Sequence, residues 1–143
     1  MRFVLAGLMA LTIFCSPLLS QERSIVYSNG SATVAVNDPA PLAQAIIGVR
    51  EEYGWVVDYE DPPWQSGDLH DVSPAAWHAA HPGRRGSMEP DGGAFQSTYA
   101  VCPDMWGSAS EELQVLNKIV SDYNASGNPG RFIVRVQTDG SYA

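Results

Sequence analysis

Three histidines, His70, His78 and His81, lie close together in the chain, beside Asp68 and Asp71. Imidazole and carboxylate together suit zinc, and His78-x-x-His81 would set two rings on one face of a helix over 74–80. Pro82 stops such a helix at once, and no cysteine is near. These residues read as a solvated polar loop. Glu60 and Asp61 are a second candidate, as an acid–base pair. Neighbours at the end of a strand point to opposite faces, so turn and cap duty suits them better. Trp64, Trp77 and Trp106 could line a sugar or peptide groove, although stapling a loop to a core is the commoner use of a tryptophan. Cys102 shows no paired base and reads as a small buried apolar side chain. No catalytic, metal-ligating or cofactor-binding residue is assigned, and no cofactor is expected.

Elements outside that loop must carry the fold. Ser31–Val36 alternates, with Ala32, Val34 and Val36 on one side, which predicts a strand. Asn37-Asp38-Pro39 breaks it and offers a helix cap. Leu42, Ile46, Val49 and Tyr53 then mark one helical face, and Gly54 ends the helix. Trp55–Tyr59 reads as a second strand, stopped by Pro62 and Pro63. Residues 62–93 are rich in Pro, Gly and polar groups and predict a long loop, with one short helix from Ser73-Pro74 to Ala80. Ala94–Val101 predicts a third strand. Ser108-Ala-Ser-Glu111 has the form of a capping box, before a helix with Leu113, Leu116, Val120 and Tyr123 on one face. Arg131–Val136 predicts a last strand.

Ile46, Val49 and Tyr53 correspond to Leu116, Ile119 and Tyr123 at one constant offset along the chain. The expectation is an α+β fold of two β-α-β halves: a small sheet with two helices on one face and a long inserted loop. Asp139-Gly140 is a hairpin signal with only Ser141, Tyr142 and Ala143 after it, which suggests a return strand cut short.

The ends and the charge set the compartment. Met1-Arg2 is a short positive start, and Phe3–Phe14 is a nearly unbroken apolar run. That run is shorter than the roughly 20 residues that span a bilayer and fits a signal peptide over 1–20, with cleavage before Gln21. Phe14 stands before Cys15 where a lipid anchor wants Gly or Ala, so a lipoprotein is not expected. Residues 21–143 then form a single exported domain, periplasmic or secreted, with no later insertion in a membrane and no internal disulfide. Its 45% apolar content can support one core. Sixteen acids against eight bases give a formal charge of −8, which argues against nucleic acid as a partner.

The alternation at Ala32–Val36, the segment Pro41-Leu-Ala-Gln-Ala-Ile46 and the strand after Tyr53-Gly54 resemble the secretin and TonB short N-terminal domain. Its helix typically reads Pro-Leu-x-x-Ala-Leu, and Pro41, Leu42, Ala45 and Ile46 fill those places. Tyr53-Gly-Trp55, Tyr59-Glu-Asp-Pro-Pro-Trp64 and Tyr123-Asn-Ala-Ser-Gly-Asn-Pro-Gly-Arg-Phe132 resemble a group of uncharacterised exported bacterial proteins. The second resemblance implies a bacterial source and no known activity, and the first a small periplasmic signalling or docking module; with the export signal and the lack of a catalytic constellation, the expectation is a non-catalytic envelope domain that binds another protein. Two other functions fit the residues. One is a small hydrolase or metal-dependent enzyme using the loop His and Asp residues; the other is a carbohydrate or peptide binder using the tryptophans. Asn29-Gly-Ser31 and Asn124-Ala-Ser126 match the glycosylation acceptor, which is incidental in a bacterial protein.

Overall fold

Asn29 and Gly30 both take positive φ, 49° and 74°. Paired left-handed residues match the twist of the strands they join, which is why Asn-Gly makes tight hairpins. Here the turn joins a strand over Glu22–Ser28, absent from the sequence-based expectation, to the expected strand beginning at Ser31.

The computed structural model describes residues 22–101 and 108–143, and the fold is α+β. In chain order the elements are β1 (Glu22–Ser28), β2 (Ser31–Asn37), α1 (Pro41–Tyr53), β3 (Leu69–Asp71), α2 (Ala75–Ala80), β4 (Met88–Pro90), β5 (Ala94–Ala100) and α3 (Ala109–Ala125). The signal peptide expected over 1–20, Cys15, the cleavage site before Gln21, Cys102 and Trp106 lie outside the described residues.

β1, β2 and β5 form an antiparallel sheet in that order. Its register sets Ala32 opposite Tyr99, Val34 opposite Ser97 and Val36 opposite Phe95. All six point to one face and are buried, since alternate residues of a strand share a face. α1 adds Leu42, Ala45, Ile46 and Val49 to that core; α3 adds Val115, Leu116, Ile119, Val120 and Tyr123. Both helices therefore cover the same side of the sheet. Ile46 and Val49 on α1, and Leu116 and Ile119 on α3, are buried at the matching positions that the constant offset predicts. Ser97, only 2% exposed, is the polar exception in the core strands. It donates to Asp122 at 2.6 Å. Burial alone would raise the Asp122 pKa, but the hydrogen bonds from Lys118 and Ser97 hold it below the usual carboxylate value.

Each helix start departs from its expected cap. The N-cap of α1 is Ala40, with Pro41 in the first turn; Asp38 instead accepts the Ala40 N–H at 2.8 Å. Ser108 does occupy the N-cap of α3, yet its hydroxyl donates to the Glu111 carboxylate at 2.6 Å rather than accepting a backbone N–H.

The closing limbs of the two halves also differ from expectation. Trp55–Tyr59 and Arg131–Val136 alternate inward and outward as strands do, but neither joins the main sheet. Each pairs with the stretch after the Asp139-Gly140 turn. Val57 bridges Tyr142 in parallel and Val136 bridges it antiparallel. Asp58 N–H reaches the Tyr142 carbonyl at 2.7 Å, and Arg135 and Ala143 exchange backbone bonds at 2.6 and 2.9 Å. The short return thus ties both halves together.

Residues 62–93 hold more order than a loop. β3 and β4 pair antiparallel, Leu69 opposite Pro90, and α2 forms where the short helix was expected. None of these residues belongs to the buried core. Gly92 N–H donates to Pro39 O at 3.1 Å, and Gly93 N–H to Asn128 Oδ1 at 3.0 Å, which fixes the base of this excursion. Joining Asp68 to Asp91 by a short Gly-Ser linker should therefore leave the domain folded. The expected loss is about 1–2 kcal/mol or less, because closure entropy varies slowly with length. Urea titration reads it; a shortened chain without a cooperative transition would show that the excursion belongs to the core. Among the described residues no helix is long and apolar enough to cross a membrane.

Candidate functional site

α1 ends in an aromatic cluster. Gly54 caps it in a left-handed conformation, φ 71°, and its N–H donates to Arg50 O at 2.8 Å. The turn returns Trp55 against Tyr53, ring centres 4.8 Å apart. The Tyr53 hydroxyl lies 2.9 Å from that of Tyr99 and 3.2 Å from that of Tyr27. Tyr27 donates to Glu52 at 2.7 Å. Burial pushes the Tyr99 hydroxyl well up from its ordinary value, with help from the Tyr53 hydrogen bond, so it stays protonated. These bonds fix the rings across three elements: β1, α1 and β5.

Two hollows meet at this cluster and share Tyr53 and Trp55 as walls. The larger, of about 470 Å³, runs between the end of α1 and the first turn of α3. Val56, Glu112, Asp139 and Tyr142 complete its walls. The narrower continues along Tyr99, Val115 and Glu111. Tyr142 donates to Ala109 O at 2.9 Å. Burial, then the nearby Glu112 carboxylate, pushes its pKa up. The Ser141 hydroxyl and N–H both bond Asp139 and hold its pKa below the usual value, so it is ionised at neutral pH. Among the described residues lining the two hollows there is no lysine or arginine. Aromatic rings, tyrosine hydroxyls and carboxylates thus line the two hollows.

The residues singled out by sequence fall elsewhere. His70 Nδ1 stands 3.5 Å from Asp91, and His78 Nε2 stands 3.3 Å from Asp71. Asp71 has a lowered pKa, chiefly because it accepts the Ser73 N–H. His81 Nδ1 lies 2.9 Å from the Trp77 carbonyl and its ring stacks on Trp77 at 4.6 Å. Asp68 accepts the Gln65 N–H at 2.9 Å. Each histidine thus has its own partner, and among the described residues no group of three or more His, Cys, Asp or Glu could hold a metal ion. Glu60 and Asp61 line a separate cleft of about 410 Å³, with Arg131 and Arg135 also among its lining residues.

Trp64 meets Phe132 edge-on at 6.4 Å, a staple between the 62–93 segment and the closing limb. Trp77 packs within the excursion. These two have different partners. Among the described residues, the tryptophan that walls a cleft is Trp55, which in the sequence marks only the start of an expected strand. Tyr53-Gly54-Trp55, two aromatics around a helix-ending glycine, is the signal that could have found it.

Fold and cleft together define a small α+β fold with an aromatic-walled hollow. No family model matches the chain, and no curated protein or solved structure matches it significantly.

Proposed function

We propose that the chain is a non-catalytic domain, exported to the bacterial cell envelope, that works by binding another envelope protein. The observation that carries this reading is the cleft at Trp55, where a half-buried indole and two tyrosines wall a hollow of about 470 Å³. Rigid aromatic side chains are the residues that contribute most to protein recognition, because they bury much area for few lost rotamers. Val56, at the same cleft, leaves 67% of its surface exposed. The apolar run before Cys15 supports export, and the resemblance to envelope docking modules supports the role.

Two measurements test the reading. The processed protein should leave the cytoplasm and begin near Gln21; an intact Met1 on a cytosolic chain would overturn the compartment. A photo-crosslinking residue at Val56, in the native bacterium, should give one defined protein adduct. The same residue at Val72, on the excursion, should give none. Equal adducts from both positions, or none from Val56, would overturn the binding role.

A further inference from the structure

We infer that the Trp55 cleft receives a lysine side chain of the partner protein. This inference rests on the binding role proposed above and adds the chemistry of what is bound. The cavity and its aromatic walls define the site. An ammonium over the face of Trp or Tyr is attracted by the ring quadrupole, most strongly where water is excluded. Trp55 and Tyr53 both line the hollow, their rings packed at 43° with centres 4.8 Å apart.

Three features select a cation over a neutral group. Glu112, from the first turn of α3, and Asp139, from the C-terminal turn, both line the larger hollow, and Glu111 lines the adjoining slot. No basic side chain among the described residues lines either hollow to neutralise them. The wall at Tyr53 and Gly54 is the C-terminal end of α1, which carries the negative end of the helix dipole. An anion would meet repulsion from all of them. The net charge of −8 adds attraction for a basic partner at longer range.

Shape selects lysine among cations. Glu112 and Asp139 come from separate elements, so they offer two single carboxylates rather than the one planar fork that a guanidinium pairs with best. A compact ammonium satisfies them one bond at a time. Its four-carbon stem lies along apolar surface while the head stays polar, and Val56 with the Trp55 ring supplies that surface.

The test uses the full processed chain and a short acetylated Gly-Ser peptide carrying one lysine, with norleucine, acetyl-lysine and arginine twins. Binding is followed by NMR on the Trp55 indole N–H, assigned by its loss in Trp55→Phe. The lysine peptide should shift that signal and saturate, and added salt should weaken it. The norleucine and acetyl-lysine peptides should leave the signal in place. Glu112→Gln with Asp139→Asn should weaken the lysine peptide roughly tenfold, equal to about 1.4 kcal/mol. Trp77→Ala should change nothing. Glu112→Asp, which keeps the charge, should retain most of the affinity, and an unchanged melting curve separates lost binding from lost folding. Equal shifts from lysine and norleucine, no shift from either, or tighter binding of the arginine peptide would overturn the inference. Should any of these occur while the Val56 adduct forms, the partner docks by other chemistry and the binding role stands. Should the lysine peptide bind while Val56 gives no adduct, the binding role fails and a partner's lysine fails with it.

Discussion

Replacing Leu116 with alanine is expected to lower the unfolding free energy by about 2–4 kcal/mol. Leu116 is 1% exposed and sits mid-face on α3, flanked by Ile119 and Val120 in the same core. Removing its outer carbons forfeits their transfer from water and leaves a cavity that the sheet cannot fill by collapsing. Glu111→Ala, one helical turn and a half earlier, is expected to cost about 1 kcal/mol or less, because the Ser108 hydroxyl it accepts is itself exposed. Urea titration of both variants gives the comparison. Equal midpoints would mean that α3 presents a different face to the sheet.

Tyr142→Ala should have a comparable or larger effect, about 3–5 kcal/mol. Tyr142 lies one residue from the last position in the sequence yet is only 3% exposed. Its backbone bridges Val57 on one side and Val136 on the other, and its hydroxyl donates to Ala109 at the start of α3. The ring is thus the wedge against which two extended limbs and one helix meet. Tyr142→Phe separates the contributions. It keeps the ring and loses one hydrogen bond, so about 1 kcal/mol is expected from it. Alanine and phenylalanine variants of equal stability would show that the ring adds nothing. Because Tyr142 also lines the Trp55 cleft, the alanine variant should change the Trp55 indole signal, whereas the excision of the 69–90 hairpin should not.

The helices and the strands β2 and β5 are legible in the sequence because their signals are local and strong. Leu42, Ile46 and Val49 repeat at helical spacing, and Ala32, Val34 and Val36 alternate. β1 is not legible. Its inward residues are Arg23, Ile25 and Tyr27, of which two are polar-tipped, so the alternation is blurred. Their apolar stems and rings cover α1 while Arg23 reaches Gln44 and Glu51, and Tyr27 reaches Glu52. The Asn29-Gly30 turn is present in the sequence, but there it reads as part of a glycosylation acceptor. The closing limbs carry true strand composition, yet strand pairing depends on a neighbour, and the neighbour is the short stretch around Tyr142. Of the cleft, only the Tyr53-Gly54-Trp55 turn is legible; the tyrosine cluster beside it is not, for a related reason. Tyr27, Tyr53 and Tyr99 come from three elements far apart in sequence, and nothing in their spacing reveals that their hydroxyls converge.

The excursion has a kinetic consequence. Pairing β2 with β5 requires the chain between α1 and β5 to close, a connection that runs from Gly54 to Gly93. The β3–β4 ladder and the Asp91 N–H bond to Asp68 O, 2.7 Å, bring the two ends of its longest part together. Once that small hairpin has formed, about half of the connection no longer counts as free chain. A halved loop is easier to close by about 0.6 kcal/mol. A variant whose 68–91 segment is replaced by a short linker should therefore fold about as fast as the intact chain in stopped-flow refolding, since either way the ends of the connection are held close.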